Sequence, residues 1–257
     1  MGKVYLVGAG PGDPELLTRK AERILASASI VLHDSLVSRE VLRMIAPAAE
    51  VIDVGKRAGR KLLSQEEINA LLVCYAQSHA VVVRLKGGDP LLFGRAAEEL
   101  EALRFAGVEH EVVPGITAGL GAAAAAGISL TDRRLASQVL FTTFSRRAEG
   151  RVPEWSGVTS DTTFVVYMPG PDYGEVAQRL LDGGLAADTP CVIVSAATRT
   201  QQELRWTDVA RLQVEATLPA PALLIVGRVA ARTVQEIGAA FWRGESKTLD
   251  LSSVAVS

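Results

Sequence analysis

Three glycine-rich loops hold the residues best suited to chemistry: VGAGPGDPELLT at 7–18, RLKGGDPLLFG at 84–94 and VVPGITAG at 112–119. Glycines that follow an apolar run let the backbone approach a ligand, most often a nucleotide phosphate at the start of the next helix. The first loop does not suit that use. A dinucleotide fingerprint counted from Gly8 requires glycine at position 13, and Asp13 stands there. Pro11 and Pro14 remove backbone donors, and an acid beside a pyrophosphate repels it. Asp13 is better placed as a helix N-cap, with Pro14 at the first helical position and Glu15 favoured by the helix dipole. Only Asp34, at the end of the second apolar run, sits where a ribose-binding acid of a dinucleotide fold would lie. The loops also lack lysine at Walker spacing, which disfavours a triphosphate. The chemistry left is recognition of a flat cofactor with amide- and ribose-like edges by backbone groups and small side chains.

The elements that must position these loops are legible from periodicity. KVYLVG (3–8), SIVLH (29–33), EVIDVG (50–55), HAVVVRLKG (79–87) and EHEVVPG (109–115) read as strands. Helices are expected over 14–26, 39–45 and 95–105, and another begins at Ser64, where Glu67 three residues on completes a capping-box signal. Strand, crossover and strand recur, so the fold is α/β with a mostly parallel sheet, and ligands bind beyond the carboxyl ends of such strands. GITAGLGAAAAAG (115–127) reads as a small-residue helix able to form a tight seam. Further strands are expected near 139–143, 162–167, 190–195 and 222–227, with helices over 173–181 and 207–215. These divisions predict two α/β domains, 1–114 and 115–243, with a flexible tail at 244–257.

Formal net charge is -2, from 27 basic and 29 acidic residues, which points to neither nucleic acid nor an anionic membrane as partner. Cys74 and Cys191 have no Cys or His neighbours at zinc-ligand spacing, so no metal is expected, and both read as small buried hydrophobes in a reducing cytoplasm. No apolar run reaches the length of a bilayer span, and MGKVYLV enters a strand pattern at once, without the longer apolar stretch of a signal peptide, so a cytoplasmic protein is expected.

In order along the chain, VGAGPGDPELLT, HDSLVS, GKR, RLKGGDP, LLFGR, PGITA, YM and TP–AAT–PALLIVG resemble the tetrapyrrole methylase family. The likeness runs from about Lys3 to Trp242 and is most specific in VGAGPGDPELLT and RLKGGDP, which point to the branch that methylates uroporphyrinogen III twice to give precorrin-2. What the resemblance implies is two α/β domains, usually in a homodimer, with S-adenosyl-L-methionine (SAM) in the cleft between them and S-adenosyl-L-homocysteine as product. By matching motifs, the cofactor contacts would be Pro11, Gly87, Gly88, Asp89, Leu92, Thr117, Ala118, Met168 and Ala197. SAM carries no phosphate, so two prolines and an acid in the first loop are tolerable. Asp89 could accept ribose hydroxyls and Met168 offers a soft apolar wall.

The resemblance also implies that Asp34 and Lys56 lie near the reacting substrate. Asp34 would orient a pyrrole N–H or take a proton, and Lys56 would pair with a substrate carboxylate or with Asp34. A substrate with eight carboxylates needs cations. Two clusters qualify, KRAGRK (56–61) and the set Arg133, Arg134, Arg146, Arg147 and Arg151; Arg57, Arg133 and Arg146 are taken as substrate-binding. Three positions depart from the family: Asp132 where GISLT is usually followed by His, Thr142-Thr143-Phe144 in place of Thr-Gly-His, and Ala96-Ala97 in place of a glycine pair. The Phe144 change implies loss of a polar group on the substrate side. Methylation of another corrinoid precursor, a weakly active SAM-binding regulator and an NAD-dependent dehydrogenase stay as alternatives.

Overall fold

The computed structural model describes residues 1–55, 63–144, 155 and 159–231. The first half alternates β1 (Lys3–Gly8), α1 (Arg19–Ala26), β2 (Ile30–His33), α2 (Arg39–Leu42), β3 (Glu50–Asp53), α3 (Gln65–Ser78), β4 (Val81–Lys86), α4 (Ala96–Phe105) and β5 (His110–Val113). Its five strands form a sheet in the order β3-β2-β4-β1-β5, every pair parallel. Alternation along the strands divides the core into two layers. Leu6, Leu32 and Val82 pack with Leu72, Leu100 and Leu103 of α3 and α4 on one face. Val7, Val31 and Leu85 pack with Ala21, Leu25 and Val41 of α1 and α2 on the other. Ser64 and Glu67 form the reciprocal capping box that starts α3.

Helix α5 (Ala118–Ala126) leads into β6 (Gln138–Thr143), β7 (Thr162–Tyr167), α6 (Tyr173–Asp182), β8 (Pro190–Ser195), β9 (Glu203–Asp208), α7 (Val209–Leu212) and β10 (Ala222–Val226). The second sheet runs β6-β7-β10-β8-β9. Only its β6–β7 pair is parallel, so the expectation of a mostly parallel sheet holds for the first half alone. Phe164, Val166, Cys191, Ile193 and Leu224 face α6 and α7, while Val165, Val192, Val194 and Ile225 face α5.

Three helices differ from the sequence reading: α2 stops at Leu42 where a helix to 45 was expected, and two others differ for local reasons. The stretch 14–26 breaks into a 3-10 turn at Pro14–Leu16, capped by Asp13, and α1, capped by the Thr18 side chain; Leu17 and Thr18 lie between them in extended conformation. The stretch 207–215 begins as the end of β9, and Asp208 caps only the four residues of α7. Strand β9 itself escapes a periodicity reading because ELRWTD buries no residue fully. Cys191 is buried, but Cys74 is exposed on α3, contrary to expectation. Among the described residues no helix is long and apolar enough to cross a membrane. The tail expected at 244–257 lies outside the described residues.

Candidate active site

The glycine loops meet at one edge of the first sheet, where β1, β4 and β5 end. Gly10 and Gly88 form a two-residue bridge: Gly10 N donates to Gly88 O at 3.2 Å and Gly88 N to Gly10 O at 2.8 Å. Both have positive φ, +68° and +71°, which glycine adopts without the strain a Cβ would bring. The third loop joins through Gly115 N, which donates to Asp89 Oδ2 at 3.0 Å, while Asp89 Oδ1 accepts from Leu91 N at 2.8 Å. A Cβ on Gly8 would stand 2.6 Å from Gly115 N, so the first and third loops also touch through backbone. The HDSLVS segment is tied in by Ser38 Oγ, which donates to Gly12 O at 2.6 Å.

These loops form one wall of a cleft, and the second sheet forms the other. The space holds about 920 Å³, open solvent at its mouth included. All of Pro11, Gly87, Gly88, Asp89, Leu92, Thr117, Ala118, Met168 and Ala197 line it, and so does Asp34. Tyr167 closes the second wall: its hydroxyl bonds to Thr117 Oγ1 at 2.7 Å and accepts from Gly119 N at 2.8 Å, and its ring lies 5.0 Å from Phe93. Burial raises the Tyr167 phenol pKa against the pull of those two bonds. Arg199 crosses between the halves, donating from Nε to Pro11 O at 3.3 Å and from Nη2 to Leu36 O at 2.5 Å. Backbone strain gathers here too: Phe93, Met168, Ala196 and Thr198 are non-glycine residues with positive φ on or beside the cleft wall.

Asp34 follows the last residue of β2, and its Oδ1 accepts from Arg84 Nη2. Behind it lies a buried ionic cluster. Glu99 Oε1 accepts from Arg84 Nε and from Lys86 Nζ, each at 2.9 Å. Burial, then the nearby Arg84 charge, lowers the Lys86 pKa; for Arg84 burial acts downward, but Asp34 and Glu99 outweigh it and the pKa is raised. Arg84, Lys86, Glu99, Tyr167 and Arg199 were not singled out by sequence reasoning. The signal present was two cations at i and i+2 inside an otherwise apolar strand, because buried charges require partners.

Other expected residues fall elsewhere. Arg133 is exposed on the turn after α5 and does not line the cleft; beside it Asp132 accepts from Arg134, whose hydrogen bonds lower the Asp132 pKa to about 2. Lys56, Arg57 and Arg146 lie outside the described residues, although Gly55, just before the first two, abuts Ser35 beside Asp34. Phe144 does not face the cleft. It is buried beside Trp155, ring centroids 6.1 Å apart, with the Arg179 guanidinium 5.8 Å from its ring, so the aromatic belongs to the core of the second sheet. Among the described residues no cluster of His, Cys, Asp and Glu could hold a metal ion.

The sequence model of the tetrapyrrole (corrin/porphyrin) methylases matches residues 3–213. The chain is 46% identical over 236 residues to a uroporphyrinogen-III C-methyltransferase of Synechocystis sp., covering 89% of both chains. It is 47% identical over 234 residues to a chloroplastic S-adenosyl-L-methionine-dependent uroporphyrinogen III methyltransferase of Arabidopsis thaliana, covering 89% of this chain but 63% of that one. The crystal structure of a Thermus thermophilus uroporphyrin-III C-methyltransferase complexed with S-adenosylhomocysteine superposes with a TM-score of 0.78 at 40% identity, over 89% of this chain and 98% of that chain. With a family model covering most of its length and relatives this similar across it, the chain belongs to the tetrapyrrole methylases.

Proposed function

We propose that the protein is a SAM-dependent C-methyltransferase that converts uroporphyrinogen III to precorrin-2 by two methylations. The observation that carries this reading is the cleft itself: residues from both halves, matched by motif to cofactor contacts, line one space together with Asp34. The donor set suits the cofactor. Each Asp89 oxygen accepts one backbone N–H and keeps a further lone pair for a ribose hydroxyl. A Cβ at Gly87 would come within 3.0 Å of Leu36 Cβ, and one at Gly88 would meet only ordinary contacts, so it would occupy the space through which a ligand reaches the backbone.

SAM supplies an electrophilic methyl group on a sulfonium, and in-line transfer needs mainly positioning. Leu92, Ala118 and Met168 give apolar walls that keep water from the reacting atoms. Asp34, with Oδ1 engaged by Arg84, has Oδ2 for a pyrrole N–H or for the proton released from the methylated ring. The substrate carboxylates call for the cations at Lys56, Arg57 and Arg146, Arg133 lying away from the described cleft wall. Because Phe144 is a core residue, its replacement of an imidazole leaves the described cleft wall unchanged, which weakens the case for a different corrinoid precursor.

Incubation with uroporphyrinogen III and isotopically labelled SAM, followed by mass measurement, tests the reading. Two labelled methyl groups on the product are expected. An unmodified tetrapyrrole, with S-adenosylhomocysteine still raising the melting temperature, would overturn the activity but not the cofactor.

A further inference from the structure

The cleft wall at Asp34 is backed by charges to which the reaction above gives no part. Along β4, Val82, Arg84 and Lys86 share the face covered by α3 and α4, so both cations are buried, and Lys86 also borders the cleft. Arg84 and Lys86 are each 2% exposed and Glu99 on α4 is 0% exposed. Glu99 takes Arg84 Nε on Oε1 and Lys86 Nζ on both oxygens, at 2.9 and 3.0 Å. Gln65 Nε2 adds a contact to the same Oε1 at 3.3 Å and reaches Asn69 Oδ1 at 3.0 Å, which anchors Glu99 to α3. The opposite side of the Arg84 guanidinium donates to Asp34 Oδ1 from Nη2, and Nη1 donates to Leu85 O at 3.2 Å.

Register explains the meeting. Arg84 pairs with Leu32 across β2 and β4, and Asp34, two residues beyond Leu32, falls on the same face just past the strand end. Stability alone does not account for such a group, because hydrocarbon of similar volume commonly serves a core as well as buried ion pairs or better. A planar guanidinium fixed at both ends does what hydrocarbon does not: it holds a carboxylate in one orientation and keeps a positive charge beside it. The four charges of Arg84, Lys86, Asp34 and Glu99 sum to zero, so the cluster orients Asp34 without itself attracting substrate carboxylates.

We propose that Arg84, anchored by Glu99, is a positioning residue for methyl transfer: it holds the Asp34 carboxylate in one orientation, with Oδ2 presented to a pyrrole N–H. This rests on the substrate role given to Asp34 above. Lys86 serves the relay by binding both Glu99 oxygens, which leaves Oε1 fixed toward Arg84.

A double-mutant cycle on kcat tests the relay. Arg84→Lys keeps the charge and loses the fork. On the native background it is expected to lower kcat by about tenfold, with the KM for SAM and the Kd for S-adenosylhomocysteine changed by less than about twofold. On an Asp34→Asn background the same change is expected to alter kcat by less than about twofold, because the group it positions is already gone. An equal loss on both backgrounds, or none on the native one, overturns the relay. Native kcat in Asp34→Asn alone overturns the role of Asp34 as well, which separates failure of the relay from failure of the reading beneath it. Glu99→Gln, run through the same cycle, supplies the measurement should Arg84→Lys not fold, with the same loss expected and the same additivity overturning the proposal.

Discussion

Asp89 uses both carboxylate oxygens to hold backbone, one on Leu91 of its own turn and one on Gly115 of the third loop. It is therefore a clasp between the loops as well as a proposed ligand contact. Asparagine at this position keeps one acceptor and turns an NH₂ group against an N–H donor. Asp89→Asn is expected to lower affinity for S-adenosylhomocysteine by about tenfold, read by calorimetric titration, and to destabilise the fold by about 1–3 kcal/mol. Asp34 and Asp89 were legible as candidates, and both line the cleft, because each stands at a strand-to-loop transition in a distinctive motif. The cluster of Arg84, Lys86 and Glu99 was not, because its members come from β4 and α4 and only the sheet register brings them to Asp34. Phe144 misled for the reverse reason: a motif position suggested the cleft, while strand alternation and Trp155 place it in the core.

At the scale of elements, the cleft depends on turns that only glycine makes without strain. Gly88 and Gly107 supply a matched comparison, with φ of +71° and +64°. Alanine at either brings the left-handed penalty of about 1–2 kcal/mol. At Gly107, where a Cβ meets nothing within 4 Å, Gly107→Ala is expected to lower the denaturation midpoint and leave S-adenosylhomocysteine binding unchanged. Gly88→Ala is expected to lower both, because its methyl group enters the cleft and strains the bridge to Gly10. Equal binding in the two variants would argue against a ligand at this wall. All five strands of the first sheet were legible, the central β1, β2 and β4 because buried parallel strands read as apolar runs. The misreadings cluster where polar residues decide the structure: Thr18 caps a second helix where one continuous helix was expected, and Glu203, Arg205 and Asp208 give β9 the look of a loop.

At the scale of the whole molecule, specific contacts among the described residues close the two sheets on one another. Helix α5 presents Gly119 to Tyr167 and Gly121 to Pro11, where a Cβ would stand 2.5 Å and 2.7 Å from its neighbours, so the helix is the seam on which both halves bear. Alkali tests the packing of the second sheet and this seam together. Burial raises the pKa of the Cys191 thiol and of the Tyr167 and Tyr173 phenols. Below the ordinary thiol value of 9.0 these groups are neutral in both states; above it the unfolded chain ionises first and stability falls as pH rises. Lys86, lowered by burial, acts oppositely, its contribution rising toward the ordinary 10.5. Urea midpoints measured between about pH 8 and about pH 10 are expected to fall, and less steeply in Cys191→Ala. An unchanged slope in that variant would remove Cys191 from the account. The two thiols have a further use because they differ in exposure. Cys74 meets an alkylating reagent at once, whereas Cys191, under α6 and α7, meets it only when the second sheet opens. Its labelling rate in native buffer is thus a clock for that opening, wound into the chain without any added probe.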